Sequence, residues 1–188
     1  MKEDAAKAIS EMKAQKVKKV VMLTGGAESV AESVAMSLGI GEAYGGLLPA
    51  DKVQKVEELM AGKSAKGKLI FVGDGINGAP VLARADVGIA MGGLGSDAAI
   101  EAAGVVIMTD EPSKVPAAIK IAKRTLAIAK QNIAIALGVK GAVLALGALG
   151  MATMWAAVFA GVGVTLIAIL NAMRTQVLGS DTVLTVKG

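Results

Sequence analysis

The 188-residue sequence contains no cysteine and no histidine, and aromatic residues make up only 2% of it. The lack of thiols and imidazoles excludes cysteine nucleophiles, histidine bases and the two strongest side-chain ligands for transition metals. Any metal held by this chain is therefore bound through oxygen ligands. The absence of cysteine is compatible with a reducing compartment and does not require one.

Hydrophobic residues make up 54% of the chain and the mean hydropathy is +0.60, which exceeds what a wholly soluble domain of this size normally shows. Part of the chain is therefore predicted to lie in lipid. The net charge is +4, from 20 Lys and Arg against 16 Asp and Glu. The basic residues are not clustered with aromatics, so we interpret them as charges that flank membrane segments and expect no nucleic-acid partner.

Strands and helices are predicted to alternate along residues 1–115. Short apolar runs predict strands at 17–23, 69–72, 87–91 and 105–108, and apolar positions at helical spacing predict helices at 5–15, 28–38, 49–60, 77–83 and 97–103. Residues 39–46 are predicted to form a loop containing at most a short strand. This alternation is typical of an α/β fold, in which helices cover both faces of a parallel sheet.

Two long apolar segments follow the α/β part. Residues 131–151 carry one charge, on Lys140, and residues 154–173 carry none. Each segment approaches the ~20 residues that cross a bilayer, so together they predict a two-helix membrane hairpin at 131–174. A pair of buried helices in a soluble protein is the alternative.

Basic residues flank the predicted hairpin on one side. Four precede the first span and Arg174 follows the second, whereas the turn between the spans has no charge. By the positive-inside rule, we expect a multi-pass protein of the cell membrane with its α/β part and both termini in the cytoplasm. The predicted division is an α/β domain at 1–115, a cytoplasmic helical connector at 116–130, the hairpin at 131–174 and a cytoplasmic tail at 175–188.

The run Gly73-Asp74-Gly75-Ile76-Asn77 follows a predicted strand and offers a carboxylate and an amide. Its glycines let backbone approach a ligand, and a carboxylate at the carboxyl end of a parallel strand suits a Mg²⁺–phosphate site. We therefore predict that Asp74 coordinates Mg²⁺ and that Asn77 binds phosphate or orients the loop. An ordinary Asp-Gly turn is the alternative.

Two further residues are expected to reach the same phosphate. Thr24 follows the first strand and offers a hydroxyl beside backbone N–H groups, and Lys52, near the start of a helix, offers a positive charge. A turn residue and a solvated helix residue are the simpler interpretations of Thr24 and Lys52 taken singly. The glycine-rich run at 92–96 resembles a dinucleotide-binding loop only loosely, and we interpret it as a turn.

Several segments, in this order along the chain, carry a family resemblance: Met22-Leu23-Thr24-Gly25, Leu48-Pro49-Ala50-Asp51-Lys52, Gly73-Asp74-Gly75-Ile76-Asn77, Gly88-Ile89-Ala90-Met91-Gly92 and, at the end of the second span, Asn171-Ala172-Met173-Arg174. Together they resemble the C-terminal part of a P-type ATPase, most closely the branch that transports zinc, cadmium and lead. The resemblance implies part of a haloacid-dehalogenase-like domain followed by the last two membrane helices. It also implies ATP hydrolysis through an aspartyl-phosphate, coupled to export of a heavy-metal cation.

The resemblance also implies roles for individual residues. Thr24, with Gly25, would hold the phosphoryl group, and Lys52 would neutralise its charge. Asp74 would bind Mg²⁺, and Asn77 would support the site. Mg²⁺ and ATP are the implied cofactors, with ATP bound mainly by a domain that this sequence does not contain.

Glycine stands where the family has acidic residues. The family's TGD motif ends here in Gly26, and Gly78 replaces a second carboxylate of the loop that contains Asp74. Lys140 matches an intramembrane lysine of the family, whose metal-binding aspartate partner is replaced by Gly161. Two more positions where an acid is expected hold Gly41 and Gly104. Losing a Mg²⁺ ligand or the counter-charge of an intramembrane lysine is expected to impair transport.

The phosphorylation motif DKTGT does not occur in the sequence. The resemblance therefore places the nucleophile, the nucleotide-binding domain and the earlier spans in a missing N-terminal part, with which this chain would associate. On this interpretation the chain is an inactive, membrane-anchored fragment of a pump. Two alternatives remain: a non-enzymatic membrane module that associates with an intact pump or another membrane partner, and a stand-alone phosphatase of the same fold.

Overall fold

The computed structural model describes residues 4–73, 78–92, 97–151, 153–175 and 184–186. The chain divides into two compact units, Met1–Ala117 with Val183–Gly188, and Ala118–Thr182. The helices are α1 (Ala5–Ala14), α2 (Glu28–Leu38), α3 (Pro49–Gly62), α4 (Ala79–Arg84), α5 (Asp97–Ala102), α6 (Lys114–Ala148) and α7 (Met154–Met173). The strands are β1 (Val21–Leu23), β2 (Glu42–Tyr44), β3 (Ile70–Gly73), β4 (Val87–Met91), β5 (Val105–Ile107) and β6 (Leu184–Val186).

The strands of the first unit form two separate sheets. β1 and β2 pair in parallel, with Val21 opposite Glu42. The second sheet has the order β3-β4-β5-β6, in which β3, β4 and β5 are parallel and β6 is antiparallel to β5. Among the described residues, β1 pairs only with β2 and β3 pairs only with β4. The strands that lead to Thr24 and Asp74 are therefore both edge strands.

The core of the first unit lies between the second sheet and helices α4 and α5. It is a buried cluster of small and branched apolar side chains: Leu82, Ala90, Ala99, Ala103 and Val106. Four of the five residues of β4 are buried, as expected for a parallel strand covered on both faces. A Cβ added at Gly88 of β4 would lie 2.6 Å from the carbonyl oxygen of Leu82, so the close approach of α4 to β4 requires glycine there.

The predicted α/β architecture is confirmed, and most of its elements lie close to their predicted bounds. β1 is shorter than the predicted strand at 17–23. Lys16 takes a left-handed conformation with φ 65°, and the N–H of Val17 donates to the Met12 carbonyl oxygen at 3.1 Å. The chain therefore leaves α1 through a turn before β1 begins. The sequence analysis gave no strand in the tail at 175–188, yet β6 pairs with β5.

The predicted connector at 116–130 and the predicted first span form one continuous helix, α6, of 35 residues. Within the described ranges, α6 is the one helix long and apolar enough to cross a membrane, and its most apolar window has a mean hydropathy of 1.4. The predicted second span coincides with α7, a helix of 20 residues. Its apolar part, Val158–Met173, is shorter than the apolar part of a helix that would span a membrane by length and composition. The crossing of a membrane by α7 stays a prediction.

Candidate functional site

Thr24 lies directly after β1, in a loop that is held by two backbone hydrogen bonds. Its N–H donates to the Tyr44 carbonyl oxygen at 2.9 Å, and its own carbonyl accepts from the Leu47 N–H at 3.1 Å. The hydroxyl Oγ1 of Thr24 accepts from the N–H of Gly26 at 3.2 Å, and the side chain is half-buried. Thr24 is thus a turn residue in the structure. Since a hydroxyl can accept and donate together, its proton is still available to an anion.

The glycines beside Thr24 differ in the space around them. A Cβ added at Gly25 would lie 3.3 Å from the Leu47 carbonyl oxygen, which is a tight contact. A Cβ at Gly26 would lie 3.6 Å from Thr24 Oγ1, an ordinary contact distance. The loop therefore restricts substitution at position 25 and has room for a side chain at position 26.

Glu28 and the Gly45-Gly46 pair tie the loops after β1 and β2 together, which the sequence analysis missed. The carboxylate of Glu28 accepts from the Gly45 N–H at 2.7 Å, and the Gly46 N–H donates to the Gly26 carbonyl oxygen at 2.6 Å. A Cβ on Gly45 would lie 2.5 Å from the Cα of Glu28. The adjacent glycines at 45 and 46 were the sequence signal for this close approach.

Lys52 lies in the first turn of α3, which begins next to the Thr24 loop. Pro49 occupies the first turn of that helix, and the Leu48 N–H donates to the carboxylate of Asp51 at 2.9 Å. Asp51 therefore caps the start of this helix. The half-buried side chain of Lys52 makes no ion pair within the described ranges. Thr24 and Lys52 are thus joined through the Leu47–Thr24 hydrogen bond and the start of α3.

Asp74 and Asn77 lie outside the described residues. The elements on either side are described: β3 ends at Gly73, opposite Ala90 of β4, and α4 begins at Ala79. The carbonyl oxygen of Gly78 accepts from two N–H groups of the first turn of α4, at 2.9 and 2.8 Å. In the part of the chain that the structure describes, no three acidic side chains are grouped to hold a metal ion.

The Thr24 loop contacts the segment that leads into α3, the helix that carries Lys52, through the Leu47–Thr24 hydrogen bond. Thr24 follows β1 of the first sheet, and β3, which precedes Asp74, belongs to the second sheet. The sequence analysis expected Thr24 and the loop that contains Asp74 to reach the same phosphate. Within the described residues, β1 and β3 are not joined in one sheet.

Asp86, which the sequence analysis did not single out, fixes the start of β3. Its carboxylate accepts from the Leu69 N–H at 2.8 Å and from the ammonium groups of Lys63 at 2.6 Å and Lys68 at 3.1 Å. The Leu69 hydrogen bond and the Lys63 ammonium hold the pKa of Asp86 well below its usual range. The Val87 N–H then donates to the Leu69 carbonyl oxygen at 3.2 Å, so the start of β3 is tied to β4.

In the helical unit, Lys140 of α6 and Gly161 of α7 are both exposed. A Cβ added at Gly161 meets no atom within 4 Å, so the unit has space for an aspartate there. Residues 118–175 contain no Asp or Glu, so no carboxylate of this stretch can pair with Lys140.

Comparison with known proteins identifies relatives for nearly the whole chain. Residues 1–86 match the family model described as a haloacid dehalogenase-like hydrolase. The chain is 60% identical over 176 residues to the cadmium, zinc and cobalt-transporting ATPase of Bacillus subtilis (strain 168), which covers 94% of this chain and 25% of that protein. It is also 60% identical over 174 residues to the zinc-transporting ATPase of Synechocystis sp. (strain ATCC 27184 / PCC 6803 / Kazusa), covering 93% of this chain and 24% of that protein.

A solved structure gives the same result. The crystal structure of a zinc-transporting PIB-type ATPase in the E2.Pi state matches with a TM-score of 0.84 at 42% identity, over 93% of this chain and 28% of that chain. The family resemblance inferred from the sequence motifs is thus confirmed. The chain spans about a quarter of the length of the relatives that it matches. Over nearly all of its length, the chain is a homologue of one segment of the cadmium- and zinc-transporting P-type ATPases, and its first unit has the haloacid dehalogenase-like fold.

Proposed function

We propose that this chain is one part of an ATP-driven pump that exports a heavy-metal cation of the zinc, cadmium and lead class, and that it is inactive alone. The observation that carries the proposal is 60% identity over 94% of the chain to a cadmium, zinc and cobalt-transporting ATPase, of which the chain spans 25%. In such a pump, this part contributes the Mg²⁺–phosphate loop and two membrane helices. The aspartate that is phosphorylated and most of the ATP-binding groups come from the remainder of the pump.

Thr24 and Lys52 bind the phosphoryl group in this proposal. The Thr24 hydroxyl already accepts from Gly26, which orients it and leaves its proton to donate to a phosphate oxygen. Lys52 lies in the first turn of α3, where the helix dipole also favours an anion. Its lack of an ion pair in the described ranges leaves its charge for the phosphate. Asn77, in the segment that follows β3, supports the same site.

Asp74 is the proposed Mg²⁺ ligand. The donor chemistry of the chain fits this ion, because the sequence has no Cys or His and Mg²⁺ prefers carboxylate oxygens. When bound, the ion neutralises charge on the phosphate oxygens. Gly78 supplies no second carboxylate, so we expect weaker Mg²⁺ binding than a site with two acids would have.

The free sheet edges support association with the remainder of the pump. Ile70 and Val72 of β3 are 38% and 37% exposed, whereas Ile89 and Ala90 of the neighbouring β4 are each 2% exposed. An exposed apolar edge strand is a site for strand addition. A strand from the remainder of the pump, placed between β1 and β3, would join the two sheets and bring Thr24 and Asp74 to one edge.

The helical unit is the proposed membrane part. With α6 and α7 as two spans, the basic residues at 120–130 and Arg174 lie on the cytoplasmic side, together with the α/β unit and both termini. Lys140 then lies within the first span. The missing carboxylate at Gly161 leaves this lysine unpaired within residues 118–175, which is expected to impair passage of the metal cation.

Complementation tests this proposal. The chain is co-expressed with the remaining three quarters of the B. subtilis relative, and zinc-stimulated phosphoenzyme and zinc uptake into inverted vesicles are measured. We expect neither activity from the chain alone, low activity from the complemented pair, and higher activity after Gly78→Asp and Gly161→Asp together. Gly163→Asp is the matched control for position 161, because a Cβ at Gly163 also meets no atom within 4 Å.

Two results would contradict the proposal in different ways. Activity equal to that of the intact relative without either aspartate would show that the glycines do not disable the site. No phosphoenzyme from any complemented pair, although the two parts copurify, would remove the pump assignment and favour the non-enzymatic membrane module.

A further inference from the structure

The middle of α6 and the C-terminal part of α7 line an open groove of about 660 Å³. Its walls are apolar, formed by Ile135 of α6 and by Ile167 and Leu170 of α7. Its polar lining consists of Gln131, Asn171 and Arg174. The groove is therefore amphiphilic, with a guanidinium beside an apolar slot.

A hydrogen-bond network fixes the polar end of this groove. The amide of Asn171 donates to Asn132 Oδ1 at 2.8 Å, and the amide of Asn132 donates to the Ala168 carbonyl oxygen at 3.1 Å. Asn171 Oδ1 accepts from one guanidinium N–H of Arg174 at 3.0 Å. The network therefore orients Arg174 through one of its five N–H groups and leaves others to bind a ligand.

The charge of this region is not balanced within the helical stretch. Residues 118–175 contain six Lys and Arg and no Asp or Glu. Five of the six lie at 120–130, before the groove residues of α6 along the chain, or at 174, in the groove lining. A neutral apolar helix in the groove would offer no negative charge to Arg174, whereas an anion would.

We propose that the groove binds one anionic phospholipid, with its phosphate on Arg174 and an acyl chain along Ile135, Ile167 and Leu170. A guanidinium binds phosphate oxygens through parallel N–H groups, and basic residues beside membrane spans attract anionic lipids. The amide of Gln131 lies at the same end and is a further donor to the headgroup. The inference rests on the proposal that α6 and α7 cross the membrane.

The test uses the full chain, purified in mild detergent with equal amounts of phosphatidylglycerol and phosphatidylcholine, and native mass spectrometry counts the retained lipids. We expect phosphatidylglycerol to be retained over phosphatidylcholine by about tenfold. Arg174→Gln is expected to abolish the preference and Arg174→Lys to keep part of it. The matched control Lys120→Gln removes the same charge outside the groove and is expected to keep the preference.

A second pair of variants tests the apolar wall. Ile167→Trp fills the groove and is expected to reduce retention of phosphatidylglycerol, whereas Ile169→Trp should not, because Ile169 is 54% exposed and does not line the groove. Helical content by circular dichroism shows whether each variant folds. If Arg174→Gln lost helical content, the comparison of Ile167→Trp with Ile169→Trp would test the lipid site in its place.

Several results would overturn the lipid site. Equal retention of the two lipids, or equal behaviour of Arg174→Gln and Lys120→Gln, would do so. Displacement of the lipid by millimolar inorganic phosphate would show that the site selects free phosphate. Release of the chain from membranes by alkaline carbonate would contradict the proposal that α6 and α7 cross the membrane, and the lipid site with it. A chain that stays in the membrane but shows no lipid preference would contradict the lipid site alone.

Discussion

At the residue scale, the glycines divide into two classes by the space around them. A Cβ at Gly45 or Gly88 would lie 2.5 Å or 2.6 Å from another backbone atom, so packing requires glycine at both positions. At Gly26 the nearest atom is 3.6 Å away, and at Gly161 none lies within 4 Å. Packing therefore does not explain Gly26 or Gly161, two of the glycines that stand where the family resemblance predicts an acidic residue.

These two classes of glycine predict a large and a small change in the free energy of unfolding on substitution. Gly45→Ala forces a backbone contact apart and is expected to lower the free energy of unfolding by roughly 1–3 kcal/mol. Gly26→Asp is expected to change it by about 0.5 kcal/mol or less, as for an unstrained exposed site. Chemical denaturation of the full chain in detergent measures both, with Gly41→Ala as the control because a Cβ there meets no atom within 4 Å. Equal losses in the free energy of unfolding for Gly45→Ala and Gly41→Ala would show that packing does not require glycine at position 45.

Asp86 gives a pH-dependent prediction. Its pKa is lowered in the folded state by the Leu69 N–H and the Lys63 ammonium, whereas an unfolded aspartate titrates near pH ~3.9. A lowered folded pKa stabilises the protein above the unfolded pKa, and this contribution is lost as the pH falls. We expect Asp86→Asn to have a lower melting temperature than the parent chain at pH 7. The difference in melting temperature should become smaller below about pH 4. Glu32→Gln, on the exposed surface of α2, should show no such difference.

At the element scale, local signals predicted most of the fold. The spacing of apolar residues gave α2 at 28–38 with its observed bounds, and Pro49 marked the start of α3. The left-handed Lys16 that shortens β1 has no such signal, because it follows from how α1 ends. The pairing of β6 with β5 joins residues about 80 positions apart, and periodicity carries no information on long-range pairing.

The site was less predictable than the fold for the same reason. Residue type and loop position were enough to select Thr24, Lys52 and Asp74 as candidates. Their convergence depends on which strands are neighbours in the sheet, and β1 and β3 are not paired here. The contacts of Glu28 with Gly45 and of Asp86 with Leu69 link segments 17 residues apart, so they emerged only from the structure.

The two helices of the second unit give a prediction at this scale. The Asn132–Asn171 hydrogen bond joins α6 and α7 at 2.8 Å. Interhelical hydrogen bonds in membranes contribute about 0.6 kcal/mol on average and up to about 1.7 kcal/mol, so a double-mutant cycle with Asn132→Ala and Asn171→Ala should give a coupling energy in that range. Detergent-induced unfolding measures it. Thr165→Val is the control, since that hydroxyl donates to Gly161 within α7 and should show no coupling with Asn132.

At the scale of the whole molecule, β1 and β3 are edge strands of two separate sheets. Within the described residues, neither has a strand paired to its outer side. β3 alternates between exposed and half-buried positions, although it is parallel to the buried strand β4. An edge strand with exposed apolar residues is prone to pair with other chains. The first unit is therefore expected to associate with itself when alone and, on the proposed function, with the remainder of a pump when that is present.

This expectation gives a prediction in which one change has two opposite effects. Replacing Ile70 and Val72 together by lysine blocks strand addition at β3, because a charged edge resists pairing. We expect the variant to aggregate less than the parent chain when expressed alone, measured by light scattering. Its copurification with the remaining three quarters of the B. subtilis relative should fall by about tenfold or more, since the lysines would have to be buried.

The matched control replaces Val30 and Met36 of α2, which are 58% and 77% exposed, by lysine. It adds the same charge away from the strand edge and should leave copurification unchanged. A variant that merely misfolds would aggregate more and bind less, so lower aggregation combined with lost binding separates a blocked edge from a damaged fold. Equal copurification of the two double variants would show that β3 is not the surface that joins this chain to the rest of the pump.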